Sequence, residues 1–222
     1  MCRSAKFCTE LGIDPTQWSK STPLAPPDFF AISLRNFIDS MQHLANGQRE
    51  SALISLEKTR SDDLRNWFVE HGQMSGWHHR VKILNLPKPP KFEGQLETNK
   101  SIKPFESQVY MRDGYVCQYC RSRVIDYKVL KKAEKIFGRE YFVASGRGND
   151  IRHGISLVFR ATADHVTPMS HGGRTSLENL VTCCWSCNYG KYNALLEQMG
   201  LDDPRHQTIS PNQRWDGGLS LI

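Results

Sequence analysis

The sequence predicts an α+β protein: a helical N-terminal region followed by a small mixed domain closed around a structural zinc ion. Three observations predict it. Apolar residues between positions 28 and 72 recur at helical spacing. Beyond residue 155 they alternate at strand spacing. Two Cys-x-x-Cys pairs, Cys117 with Cys120 and Cys184 with Cys187, lie far apart in the chain and together supply four thiolates for one tetrahedral ion. A chain of 222 residues is long enough for one or two domains with a core that needs no disulfides.

The elements follow in order. Pro15, Pro23, Pro26 and Pro27 make the first stretch irregular. Asp28 is placed to cap a helix carrying Phe30, Leu34, Ile38, Met41 and Ala45 on one face, and Asn46-Gly47 ends it. A second helix fits Arg49–Lys58. A third begins at Ser61 or Asp62, turns Leu64, Trp67 and Phe68 inward and stops at Gly72. These stripes are read as core. Residues 1–86 therefore make the helical N-terminal region. Pro87, Pro89, Pro90 and Pro104 bracket a polar stretch, so 87–104 is expected to be a linker. In residues 105–200, Phe105–Met111 forms a short helix or turn running into Arg112-Asp113-Gly114. Asp126 caps a helix with Val129, Leu130, Ala133, Ile136 and Phe137 apolar, ended by Gly138. Ser156–Val166 alternates as a strand with Leu157, Phe159, Ala161 and Ala163 on one side. A second strand fits Asn179–Cys184, and a final helix Asn188–Met199 is closed by Gly200. Residues 201–222, with Pro204, Pro211 and Gly217-Gly218, are expected to be a loop-rich tail anchored by Trp215.

The formal charge is +6, and its placement matters more than its size. Residues 121–174 hold eleven Lys or Arg against five acids, so the rest of the chain is formally neutral. A local basic block points to a polyanionic partner. Within it, Lys128, Lys131, Lys132 and Lys135 share one helix face, where they repel one another unless something anionic lies nearby; a solvated face is the plainer alternative. No run of 18 apolar residues exists, which argues against a membrane span. Met1–Glu10 is charged and lacks an apolar stretch, so no secretory signal is expected and the address is cytoplasmic. There, seven cysteines are thiols or metal ligands. Cys183 competes with Cys184 as a ligand, and knuckle spacing favours Cys184. Cys2 and Cys8 lack a second pair and are expected to be bystanders.

Between the knuckles stand Asp164-His165, Gly172-Gly173 and Asn179, and after the second knuckle come Asn188 and Lys191. Singly, each has a structural explanation: a lone histidine usually belongs to a core, and Asp or Asn near a helix start is usually a cap. Their joint order is more specific. RDGYVCQYC (112–120) and DHVTPMSHGGRTSLENLVTCCWSCNYGK (164–191) resemble HNH endonucleases of the zinc-stabilised ββα-metal type, in the HNN variant with asparagine at the last motif position. The resemblance covers about residues 105–200 and does not extend to the N-terminal half.

That resemblance implies a set of roles. His165 would be the general base toward the attacking water, and Asn179 the middle motif residue that pins the hairpin loop and orients it. Asp164 and Asn188 would hold one catalytic Mg²⁺ or Mn²⁺, while Cys117, Cys120, Cys184 and Cys187 would hold structural Zn²⁺. Lys191 and Arg174 would hold a phosphate. The substrate would be DNA, leaving 5′-phosphate and 3′-hydroxyl ends. The spacer between Cys120 and Asp164 is longer than the family's, an insertion at about 124–155. Its lysines Lys128, Lys131, Lys132 and Lys135 would grip the DNA backbone. Analogy within the family points to phage defence or restriction, with the N-terminal region docking a protein such as an ATPase. The rival expectation is a zinc-stabilised nucleic-acid binding or protein-docking module with little or no catalysis.

Overall fold

The computed structural model describes residue 8 and residues 11–73, 75–85, 92–97, 101–206 and 215–222. Cys2, Pro87, Pro89, Pro90 and Pro211 lie outside them.

Three helices build the N-terminal region: α1 (Phe29–Ala45), α2 (Arg49–Glu57) and α3 (Ser61–Trp67). The stripe facing inward on α1 is Phe30, Leu34, Phe37 and Met41, and Ala45 is exposed, contrary to the sequence reading. Steps of four, three and four residues follow the 3.6-residue period, and Ala45 is the helix's last residue, one turn past Met41, where the buried stripe ends. Asp28 makes no side-chain cap either. Its backbone is already helical (φ −56°, ψ −33°), whereas a capping residue needs an extended backbone to aim its side chain at the first turn. Helix α3 passes into a π-helical turn at Phe68–Gly72, and α4 (Ser75–Trp77) into another at His78–Ile83. Within the second, Arg80 is buried and donates to four carbonyls: Pro23, Met199, Ser19 and Thr22, at 2.8–3.1 Å. It thereby ties the irregular first stretch to the end of the chain's last α-helix.

Helix α5 (Lys103–Arg112) leads into the first knuckle, and α6 (Tyr127–Phe137) follows it. Asp126 does cap α6, accepting the Lys128 N–H at 2.8 Å. The buried face of α6 joins the N-terminal helices in one core: Phe30, Phe37, Met41, Leu56 and Trp67 cluster with Val129, Leu130, Ala133, Phe137, Phe142 and Ile155. Phe37 stacks on Phe142 with ring centroids 5.6 Å apart, and Phe159 meets Phe30 edge-on at 5.5 Å.

The expected long strand is two elements. Residues Gly154–Val158 form a helix, α7, and only Ala161–His165 form a strand, β1. His153 starts the helix, its Nδ1 accepting the Ile155 N–H at 3.3 Å. Leu157 and Phe159 enter the first core, whereas Ala161 and Ala163 enter a second. An alternating apolar pattern thus spans a change of element because two cores lie on either side of it. Strand β2 (Leu180–Cys184) pairs antiparallel with β1, setting Asp164 opposite Val181 and His165 opposite Leu180. Helix α8 (Trp185–Lys191) follows at once. The expected single final helix is broken: Tyr192 (φ 58°, ψ −135°) ends α8, and α9 (Leu196–Met199) is closed by Gly200 in the left-handed region. Trp215 anchors the tail, donating to the Val124 carbonyl at 2.7 Å. Among the described residues, no helix is long and apolar enough to cross a membrane.

Candidate metal centre and active site

The two knuckles meet. The sulfurs of Cys117, Cys120, Cys184 and Cys187 all lie within 4.8 Å of one another, and Cys120 and Cys184 are 3.7 Å apart. Four sulfurs about 2.3 Å from a tetrahedral zinc would be spaced about 3.8 Å, so the donor set fits that ion. The electrostatics agree. Burial pushes the Cys117 thiol up, but contacts from the surrounding thiols outweigh it and hold Cys117 well below the ordinary range. Cys184 and Cys187 are pushed well up, first of all by their contact with Cys117. Four packed thiols cannot all ionise without a cation among them. Cys183 touches Cys117 but lies outside the four-sulfur group, its Sγ donating to the Cys184 carbonyl at 3.2 Å.

The first knuckle is fastened to the hairpin by backbone and by Arg112-Asp113. The Gln118 N–H donates to the Thr182 carbonyl at 2.8 Å, and the Asp113 carboxylate accepts the Thr182 N–H at 2.6 Å. Arg112 holds that carboxylate and reaches the carbonyls of Leu177 and Leu180. The metal cluster and the active-site strands are therefore one rigid unit.

Asn179 closes the loop between β1 and β2. Its Oδ1 accepts the Thr167 N–H, and its Nδ2 donates to the carbonyls of Thr167 and Arg174, each at 2.9 Å. Gly173 lets the strands of this loop approach: a Cβ there would lie 1.8 Å from the Thr167 oxygen. His165, at the end of β1, is half-buried, with Nε2 3.0 Å from Thr175 Oγ1. Burial lowers its pKa, the Asp164 carboxylate opposes this and the Lys191 ammonium adds to it; the net position is below the usual imidazole value, which keeps the base form at neutral pH.

Asp164 is buried beside it. Its Oδ2 accepts the Tyr119 hydroxyl at 2.7 Å and pairs with Lys191 Nζ at 3.1 Å. Lys191 is fully buried and also donates to the His165 carbonyl at 3.0 Å. The phosphate contact expected of Lys191 is thus replaced by an internal one, because its amine is sealed from solvent. Asn188 lies one turn before Lys191 on α8, on the same side of that helix. Among the described residues the Asn188 side chain has no hydrogen-bond partner, and neither does Asp164 Oδ1. These two side-chain oxygens are of the kind that could hold a hard divalent cation.

Arg174 is exposed at the loop. Lys128, Lys131, Lys132 and Lys135 are exposed on α6, and Lys131 pairs with buried Glu134, which also holds Arg139 at 2.6 Å. Sequence reasoning missed Tyr119 and Thr175. A signal existed for the first, an aromatic residue lodged between two zinc-type cysteines; nothing marked the second.

The family model for HNH endonucleases matches residues 154–194, a span that holds Asp164, His165, Asn179, the second knuckle, Asn188 and Lys191. No curated protein and no solved structure matches the chain.

Proposed function

We propose that this chain, HNH endonuclease-like over residues 154–194, hydrolyses DNA phosphodiester bonds with Mg²⁺ or Mn²⁺ and leaves 5′-phosphate and 3′-hydroxyl ends. The observation that supports the reading is the meeting of β1 and α8, where Lys191, one turn after Asn188, pairs with buried Asp164 and donates to the His165 carbonyl. His165 takes a proton from the attacking water. Asp164 and Asn188 hold the divalent cation, whose charge, when bound, stabilises the negative charge growing on the scissile phosphate and leaving oxygen. Asn179 keeps the loop from reshaping, and Lys191 fixes both the Asp164 carboxylate and the His165 carbonyl. The four cysteines serve a structural zinc with no open position.

Arg174 and the α6 lysines supply sequence-independent contacts to the DNA backbone. The organisation we favour is a helical region over 1–86, a connection over 87–104, the nuclease region over 105–200 with its insertion at about 124–155, and a tail over 201–222. Ile32 on α1 and Ile54 on α2 are about half exposed, which suits a role for these helices in docking a protein such as an ATPase, in phage defence or restriction. The deciding experiment is nicking of supercoiled plasmid with Mg²⁺ or Mn²⁺, with chelator, and with His165→Ala. Cleavage that needs metal and His165 is expected. Equal cleavage by the variant would overturn the mechanism, and DNA binding without cleavage would favour a binding module.

A further inference from the structure

The segment 92–97 belongs to the stretch expected to be a linker, yet it lies on the active-site loop. Phe92 covers Gly172, where an added Cβ would fall 2.3 Å from a ring carbon. Glu97 Oε2 accepts the Thr175 N–H at 2.7 Å. Thr175 is buried, and its Oγ1 is the atom 3.0 Å from His165 Nε2. A threonine hydroxyl has one proton and two lone pairs. Here the proton has a taker: Oγ1 donates to Met169 Sδ at 4.0 Å. That leaves the lone pairs free to accept from the imidazole Nε2, 3.0 Å away.

We propose that Glu97 and Thr175 are positioning residues for His165. The Glu97 carboxylate holds the Thr175 backbone, and the Thr175 hydroxyl accepts the Nε2–H, fixing the tautomer in which Nδ1 keeps its lone pair for the water proton. The inference rests on the nuclease reading above and deepens it: a base that presents the wrong nitrogen cannot take that proton. It also draws the site beyond the family-matched span, since Glu97 lies outside residues 154–194. Phe92 and Leu96 are each nearly half exposed, so the segment is held from one side, through its contacts at Gly172 and Thr175.

The test uses the full-length chain and three variants: Thr175→Val, which keeps the shape but loses the acceptor, Thr175→Ser, which restores it, and Glu97→Ala. Two readouts are taken, plasmid nicking resolved into kcat and KM, and nitrogen-15 spectra of labelled imidazoles, which show which ring nitrogen carries the proton. We expect the His165 proton on Nε2 in the wild type and loss of that preference in Thr175→Val. We expect kcat to fall roughly 10–100-fold in Thr175→Val, by analogy with the loss of a partner that orients a metal-ligating histidine, with KM changed less than about threefold. Thr175→Ser should recover most of the turnover, and Glu97→Ala should lower kcat more mildly. A wild-type proton on Nδ1, a Thr175→Val enzyme with wild-type kcat, or a serine variant no better than valine would each overturn the proposal. So would a faster Glu97→Ala enzyme, which would make segment 92–97 a lid over the site. A wild type that cuts no DNA would instead refute the nuclease reading, and the imidazole spectra would still decide the hydrogen bond.

Discussion

Replacing Lys191 with methionine should destabilise the protein in proportion to how completely the structure buries this ammonium. The side chain is fully buried, 3.1 Å from Asp164 Oδ2 and 3.0 Å from the His165 carbonyl. Methionine has nearly the same length and fills the space, so little of the loss comes from a cavity. What remains is an Asp164 carboxylate with 7% of its side chain exposed and the Tyr119 hydroxyl as its surviving partner. Breaking a buried pair by removing one member costs about 3–5 kcal/mol. In a chain of this size each kcal/mol shifts Tm by about 2–4 °C, so Tm should fall roughly 6–20 °C. The pair is shielded from solvent ions, so the loss should persist in about 0.5 M salt, where surface pairs fade. Thermal and urea unfolding of Lys191→Met, Asp164→Asn and the double variant complete the cycle. Asp164→Asn alone strands the ammonium, and the double variant removes both charges. Its destabilisation should therefore be smaller than the sum of the singles by about 2 kcal/mol or more. Strict additivity, or a Tm for Lys191→Met within about 2 °C of wild type, would refute the pairing. An unchanged Tm with weakened DNA binding would return Lys191 to the phosphate-contact role that its position next to the motif suggests.

Metal analysis of the purified chain should find about one tightly held zinc, lost in Cys117→Ser together with the cooperative unfolding transition; an equally zinc-loaded variant would remove Cys117 from the ligand set. Reversing Lys128, Lys131, Lys132 and Lys135 to Glu should weaken DNA binding and reduce the slope of log affinity against log salt by up to roughly 3–4, and an unchanged slope would take the α6 face out of the interface. His153 is buried against Phe142, with ring centroids 4.4 Å apart, and burial drives its pKa down to about 3. Its folded pKa lies below the unfolded value of about 6.5, so its contribution is intact above pH 6.5 and is lost as pH falls toward 3. That amounts to about 1.4 kcal/mol per pH unit, or about 2 kcal/mol at pH 5. His153→Asn keeps a capping side chain for α7 and should flatten this part of the urea-unfolding pH profile; a variant with the wild-type slope would show that the acid sensitivity lies elsewhere, as in the zinc thiolates.

Residues whose identity chemistry demands were legible from the sequence. The four cysteines in knuckle spacing are the example: the structure brings their sulfurs within 4.8 Å of one another. Residues whose role depends on burial were not legible. Lys191 follows Asn188 by one helical turn, and a lysine there suits a phosphate or a buried carboxylate equally well until Tyr119 and Asp164 are seen to enclose it. The alternation from Leu157 to Ala163 suited one strand because a period of two cannot reveal that the chain leaves one core and enters another at Arg160. The same two-core arrangement bears on how the HNH-like region stands. The apolar side of α6 is covered by Phe37, Met41 and Leu56 from the N-terminal helices, and Arg80 bonds the carbonyls of Pro23 and Met199 across the chain. A fragment beginning at residue 105 would uncover Leu130, Phe137 and Phe142 and would lose Glu97 from Thr175. The four cysteines gather at the hairpin, but the helices that precede it complete the core on which α6 and α7 rest.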